Sequence, residues 1–270
     1  MKMNVENYLK RIGFTGEVRK DPETLIRLQE HHVMTVPYEN LEILARKPLS
    51  LDVEDLYEKI VTRGRGGYCF ELNGLYAWLL EELGFKVIQH FGRWLRDEPI
   101  ESPMRRHRIL RVPLDGKEYI CDVGLGTIAP SSPLVFEFET EQEINGETYR
   151  IMPHPTNIYV VEYLSSNGAF KPVYSFNDDP CLPIDYIQAH YYCSNHPDSL
   201  FLNCTLIYIV TENGRKTIVD AYDPETGEKI KELRQYENGN LTTTLTKTLI
   251  KTDEQFNELL KTHFGFELNS

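Results

Sequence analysis

The sequence predicts an α+β chain: a helical first third, a run of short strands forming an antiparallel barrel or curled sheet, and a mixed closing unit. Two features point there. Apolar residues recur near a 3.6-residue period as far as Leu83, and beyond residue 85 short branched or aromatic runs alternate with Pro, Gly and charged turns. A third feature is the absence of internal repeats and low-complexity linkers, so the units should pack as one body. The expected division is 1–84 helical, 85–182 barrel, 183–204 helical connection and 205–270 α/β. A chain of 270 residues can bury a substantial core across such units.

Taken in order, Asp21-Pro22 opens a helix, because the carboxylate accepts free backbone N–H groups and proline fits the first helical position. Leu25, Leu28 and His32 continue it at helical spacing, and Pro37 should end it. A short amphipathic segment follows over 51–60, and Gly64, Gly66 and Gly67 break the chain before Cys69. Leu72, Leu75, Tyr76, Leu79, Leu80 and Leu83 then mark a helix over 69–83, stopped by Gly84. Strands are expected over 87–94, 107–112, 119–123, 134–138, 158–164 and 170–176, with Ser165-Ser166-Asn167-Gly168 turning between the last two. A connecting helix is expected over 183–193. Strands over 205–210 and 216–221, joined at Asn213-Gly214, precede a closing helix over 253–263.

The formal charge is −12, from 29 basic and 41 acidic side chains, which disfavours non-specific nucleic-acid binding. The acidic stretch 137–143 reads as a solvated loop or strand edge. Arg105-Arg106-His107-Arg108 is a local basic spot of the kind an anionic ligand needs. No stretch approaches the ~20 apolar residues that span a bilayer, and the first residues show no apolar signal region, so neither membrane insertion nor secretion is expected. Five cysteines, an odd number, do not suggest a disulfide framework. Free thiols at Cys69, Cys121, Cys181, Cys193 and Cys204 in a reducing cytoplasm are expected.

Cys69 falls where a loop becomes a helix, and His107 and Asp122 follow it. Cysteine, histidine and carboxylate in concert support covalent acyl chemistry. A helix start stabilises a thiolate through unpaired N–H groups, an imidazolium beside it would add to this, and Gly66 and Gly67 would let the backbone approach an acyl donor. Spacing alone leaves open a buried structural cysteine, just as Asp122 could be an ordinary strand-end residue. A charge interrupting the apolar run 119–123 nonetheless favours a paired role, since an unpartnered buried carboxylate is costly. If Cys121 shares a strand with Asp122, its side chain points the other way. His31, His32, His90, His154, His190 and His263 show no metal-ligand spacing and read as surface or hydrogen-bonded structural residues. The segment Cys193-Ser194-Asn195-His196 lacks further ligands, so no metal is expected.

Taken together, Val36-Pro37-Tyr38-Glu39-Asn40-Leu41, Arg65-Gly66-Gly67-Tyr68-Cys69-Phe70-Glu71-Leu72-Asn73, His107 in its strand, and Asp122-Val123-Gly124-Leu125-Gly126 resemble the arylamine N-acetyltransferase family over nearly the whole chain. The resemblance implies a helical domain, an antiparallel β-barrel and an α/β lid around a cysteine-protease-like core. It implies a Cys69–His107–Asp122 triad, acetyl coenzyme A as acyl donor, and small aromatic amines or hydrazines as acceptors. It further implies Glu39 and Arg65 as structural support, Gly124 and Gly126 near the cofactor, and Tyr68, Phe70, Leu125 and Phe201 around the acceptor. Leu125 stands where the family usually has an aromatic side chain, which removes a stacking face from the pocket. The reaction so implied is ping-pong transfer through an S-acetyl cysteine in xenobiotic metabolism. A cysteine-dependent amide or thioester hydrolase and a noncatalytic ligand-binding protein are the alternatives.

Overall fold

The computed structural model describes residues 3–268 apart from 96, 97, 101, 127, 157 and 239–242. The helical region begins with α1 (Val5–Arg11) and α2 (Pro22–Thr35). Asp21 caps α2 by accepting the Thr24 N–H at 2.8 Å, and the helix stops two residues before Pro37, as the sequence implies. A two-residue strand, β1 (Tyr38–Glu39), then leads into α3 (Leu41–Leu44). The expected helix over 51–60 divides into α4 (Val53–Tyr57) and a π-helical turn, Glu58–Thr62, that carries Lys59 in its wider coil. Next comes α5 (Cys69–Glu82), in which every residue from Cys69 to Ala77 is buried. A helix apolar on all sides belongs at the centre of a core. Leu72, Leu75, Leu79 and Leu80 share one cluster with Tyr8, Ile12, Leu25 and Leu28 of the other helices and with Leu110 and Val112 of the barrel.

The barrel comprises β2 (Ile88–Trp94), β3 (His107–Leu114), β4 (Lys117–Cys121), β5 (Leu134–Val135), β6 (Gln142–Ile144), β7 (Glu147–His154), β8 (Ile158–Leu164) and β9 (Phe170–Cys181). Its order is β5-β4-β3-β2-β9-β8-β7-β6, with every pairing antiparallel. The two edge strands meet through one side chain. Gln142 accepts the Val135 N–H at 2.8 Å and donates to the Val135 carbonyl at 2.9 Å, an amide standing in for a peptide across the seam. Ile109, Leu134, Tyr149, Ile151, Val161, Val173 and Tyr174 fill the interior. Two expectations need correction here. The strand expected over 134–138 ends at Val135, where the chain leaves the ladder. Part of the acidic stretch forms the edge strand β6, in line with its reading as a strand edge, and turns at Asn145-Gly146, both with positive φ, into β7, a strand the sequence reading lacks. Asp122 lies just past the end of β4 instead of within the strand.

A 3-10 turn (Pro183–Asp185), α6 (Tyr186–Asn195) and α7 (Leu200–Asn203) cross to the third region. It contains β10 (Leu206–Thr211), β11 (Gly214–Tyr222), β12 (Lys229–Asn238), β13 (Thr243–Ile250) and α8 (Asp253–Phe264). Phe256, Leu260 and Phe264 of α8 pack on Ile207, Ile218, Leu233 and Ile250 of the sheet. The sequence reading lacks β12 and β13. Their pattern is muted, since charged and threonine side chains dominate both and Leu233 is the fully buried apolar residue of β12. The sheet order is β1-β10-β11-β12-β13, so β1 from the helical region forms its edge. Tyr38 pairs with Tyr208 and Glu39 with Ile207, while Tyr38 also bridges to Gly67, two residues before Cys69. The α/β region is thereby joined by backbone to the loop that leads into α5.

His32 lies fully buried between the rings of Tyr8 and Tyr76, and neither ring nitrogen has a hydrogen-bond partner among the described residues. Burial, assisted by the Arg11 cation, lowers its pKa from 6.5 to about 3. The folded state therefore holds this ring neutral while the unfolded chain protonates it below its ordinary value, so stability is lost as pH falls. Between pH 6.5 and 5 that loss should reach roughly 2 kcal/mol from this residue. Denaturant unfolding at pH 7 and pH 5 should show a smaller acid loss in His32→Phe than in the wild type. Equal losses would assign the acid sensitivity to other groups.

Candidate active site

Cys69 is the first residue of α5, with Tyr68 in extended backbone as its N-cap. Its thiol donates to the carbonyl of Arg106 at 3.7 Å, and backbone N–H groups of Arg108 and Phe70 are directed toward the sulfur. The sulfur thus sits against the start of β3, with contacts on both sides of His107. The His107 Nε2–H donates to Asp122 Oδ2 at 2.5 Å, and all three side chains are almost wholly buried. Cys69 and His107 line one small cleft together with Tyr38, Trp94, Arg106, Gly124, Leu125, Gly126, Phe201 and Leu206.

The charge on Asp122 is held by a set of donors. Its Oδ1 accepts from Asn73 Nδ2 and from the Gly124 N–H, both at 2.8 Å. Asn73 also donates to the Arg108 carbonyl at 2.7 Å and accepts the Val123 N–H at 2.9 Å. Gln29 of α2 accepts the Asp122 N–H at 3.1 Å. Sequence reasoning assigned no role to Asn73 or Gln29. A signal was present for the first: Asn73 lies four residues after Cys69, on the same helical face, just ahead of the apolar run from Leu75 to Leu80.

Burial drives the Cys69 thiol well above its ordinary pKa, and Cys193 and Asp122 push the same way, whereas the Arg108 and Phe70 N–H groups oppose them. The N–H groups at the helix start therefore do not outweigh burial at this thiol. Thiolate here requires the proton to move to a nearby base, which leaves an ion pair in place of an isolated buried anion.

Glycine placement also differs from expectation. A Cβ on Gly66 would stand 2.1 Å from the Pro37 carbonyl oxygen, so this glycine admits the chain's own backbone. A Cβ on Gly124 would stand 2.7 Å from the Cys69 Cα, and one on Gly126 would strike the Tyr38 ring at 2.7 Å. Both line the cleft, and their bareness brings its wall against the thiol. Leu125 and Phe201 are cleft walls, but Tyr68 and Phe70 are not. Tyr68 donates to His190 Nδ1 at 2.5 Å, and Phe70 packs among Phe91, Tyr186 and His190. Both rings turn into the core because α5 is buried on that face too. Tyr38, Trp94, Arg106 and Leu206 complete the lining and were not assigned to the site from sequence.

Beneath the cleft lies a layer of buried ions. Arg65 Nη2 donates to Glu39 Oε1 at 2.6 Å, Glu39 Oε2 accepts the Leu41 N–H at 2.8 Å, and the Phe266 ring covers the guanidinium at 4.9 Å. Beside them Lys59 Nζ lies 2.7 Å from Glu71 and 2.9 Å from Glu42. Glu71 Oε2 in turn accepts the Tyr68 N–H at 3.1 Å, closing the first turn of α5. Burial opposes the Lys59 ammonium, yet Glu71, Glu39 and Glu42 hold its pKa above the ordinary value.

Fold and site together define the class, and the N-acetyltransferase family model matches residues 21–270. The chain is 36% identical over 220 residues to the arylamine N-acetyltransferase of Mycolicibacterium smegmatis, covering 80% of this chain and 79% of that protein. A solved M. smegmatis arylamine N-acetyltransferase superposes with a TM-score of 0.86 at 31% identity, over 99% and 94% of the two chains. The Mycobacterium marinum arylamine N-acetyltransferase in complex with CoA superposes with a TM-score of 0.85 at 28% identity, over 97% and 93%. The chain belongs to the arylamine N-acetyltransferase family.

Lys59 is the member of the ion layer with the clearest test. Removing one partner from a buried pair leaves uncompensated charge and costs about 3–5 kcal/mol. Lys59→Met should lower unfolding stability by that order in urea titrations, and adding Glu71→Gln should recover part of the loss. A near-neutral Lys59→Met would show that the layer contributes little.

Proposed function

We propose that this chain transfers an acetyl group from acetyl coenzyme A to a small aromatic amine or hydrazine, by a ping-pong route through S-acetyl-Cys69. The observation that carries the reading is the sulfur lodged against residues 106 and 108, with the intervening histidine held by Asp122. Asp122 occupies Nε2, which leaves Nδ1 as the His107 nitrogen available for proton exchange. In the first half-reaction the Cys69 proton passes to His107 as sulfur attacks the thioester carbonyl. Helix-start N–H groups are the candidate donors to the oxyanion. Collapse of the adduct expels the coenzyme A sulfur, which takes the proton back from His107. In the second half the amine attacks the acetyl carbon, His107 accepts an amine proton, and Cys69 leaves as thiolate to be reprotonated.

Asp122 maintains the imidazole orientation and stabilises its cationic form without itself being protonated. A groove of about 450 Å³ between the barrel and the α/β sheet shares Trp94, Gly126 and Leu206 with the cleft, and Lys171 and Arg215 line it. This groove is the natural approach for the donor, with Gly126 keeping the passage clear, and the CoA complex of the M. marinum relative supports the choice of donor. A cleft walled by Leu125 and Phe201 favours an aromatic acceptor over water. Handling of foreign aromatic amines in the cytoplasm fits this chemistry, as do five cysteines present as free thiols.

Rapid mixing with acetyl coenzyme A followed by intact-mass analysis should show one added acetyl group, absent in Cys69→Ala. No label on the wild-type chain would return the noncatalytic alternative. Coenzyme A release should depend on an added aromatic amine; equal release without amine would identify a hydrolase. Asp122→Asn should slow acylation by about 10²-fold or more, since loss of the charge misorients the imidazole. Unchanged pre-steady-state acylation would remove Asp122 from the mechanism.

A further inference from the structure

The segment from Asp122 to Pro130 carries both the carboxylate behind His107 and, at Gly124, Leu125 and Gly126, one wall of the cleft. Its first residues are held from α5, where Asn73 meets the Asp122 carboxylate and the Val123 N–H. Its far end is held from α2. Gln29 Nε2 donates to the Pro130 carbonyl at 3.3 Å, and Ser132 donates to Glu30. For residues 125–132 these two are the hydrogen bonds found among the described residues. The same Gln29 accepts the Asp122 N–H at 3.1 Å through Oε1, so one amide ties the two ends of the segment together. Gln29 is 1% exposed, so water cannot readily replace either bond.

Packing alone does not fix the wall. Leu125 borders the cleft on one side and, on the other, a small cavity of about 10 Å³ bounded by Val33 and Val36 of α2, Tyr208 and Val210. A side chain with a void behind it lacks contacts there and can shift toward it. What keeps it forward is a short length of chain between two fixed ends. We propose that Gln29 is a positioning residue for the second half-reaction: by clamping Asp122 to Pro130 it holds Leu125 against the acceptor ring. The inference rests on the acyl-transfer reading above and adds a residue that touches neither substrate nor the side chains of the triad. The first half-reaction depends on Gln29 less, because Asn73 and the Gly124 N–H still fix the Asp122 carboxylate without it.

The test sets Gln29→Met, which removes both bonds, against the wild type. Acylation of Cys69 by acetyl coenzyme A is timed by rapid mixing and intact mass. Transfer is then measured to aniline and to hydrazine, which has no ring to be held. In a ping-pong reaction the acceptor kcat/KM reports the second half-reaction alone, and the ratio within one protein is independent of its folded fraction. Gln29→Met should lower the aniline-to-hydrazine ratio about tenfold or more and change the acylation rate by about twofold or less. An unchanged ratio, or acylation slowed as much as transfer to aniline, overturns the proposal. Gln29→Glu supplies a readout that lost packing would not move. Its carboxyl accepts the Asp122 N–H in either state but donates to Pro130 only when protonated, and burial beside Asp122 favours that form. Its acceptor ratio, divided by the wild-type ratio at each pH, should approach one on the acid side and fall as pH rises. A quotient below one and flat across pH would assign the effect to packing and overturn the clamp. Ligand-observed NMR titration of aniline, without acetyl coenzyme A, separates this inference from its parent. Weaker binding in Gln29→Met, with no acyl transfer in any form, sinks acyl transfer and leaves the clamp on Leu125 standing. Normal transfer with an unaltered acceptor ratio sinks the clamp alone.

Discussion

A buried carboxylate must be satisfied, and the way Asp122 is satisfied organises the whole candidate site. Its two oxygens take hydrogen bonds from the imidazole of His107, the amide of Asn73 and the N–H of Gly124, while its own N–H reaches Gln29. Those partners come from β3, α5, the segment after β4 and α2, so one charge gathers four parts of the chain. Water can reach almost none of it. With so little solvent to compensate, removal of a single donor leaves part of the charge exposed to apolar surroundings. The geometry of the thiol follows from this, because Asn73 and Cys69 share a helical face.

The ion layer under the cleft serves a related end by a different route. Glu39 and Arg65 join β1 to the chain just ahead of the glycines, and Lys59 with Glu71 closes the first turn of α5. Buried pairs are poor sources of net stability compared with hydrophobic packing. Their value here is positional: a carboxylate that must face its cation cannot let the Cys69 backbone drift. The π-helical turn over Glu58–Thr62 is what delivers the lysine to that position.

Much of this was legible in the chain itself. The cap at Asp21, the helix beginning at Cys69, the strand beginning at His107 and the three-part architecture follow from period, punctuation and motif. Of the strands that escaped notice, β7 carries Pro153, which argues against a strand in sequence, and the others have a pattern that is weak for a physical reason. β6 hides in an acidic run at a sheet edge, and β12 shows mostly charged side chains because one face meets solvent. The site divides similarly. Cys69, His107 and Asp122 announce themselves by residue type, and the structure brings them together. Tyr68 and Phe70 misled because proximity in sequence to the thiol says nothing of direction on a helix buried all round. Asn73 carried a signal in its spacing from Cys69, whereas Tyr38 and Arg106 could be placed only by tertiary packing.

The edge strand β1 has a mechanical implication for substrate entry. Through Tyr38 and Glu39 the α/β sheet is tethered by ladder hydrogen bonds to the segment bridging to Gly67. Swinging that sheet away as a rigid body would break its pairing with the loop that leads into Cys69. The opposite margin, β12 with β13, lies beyond β11 and carries no such tie to the loop before Cys69 among the described residues.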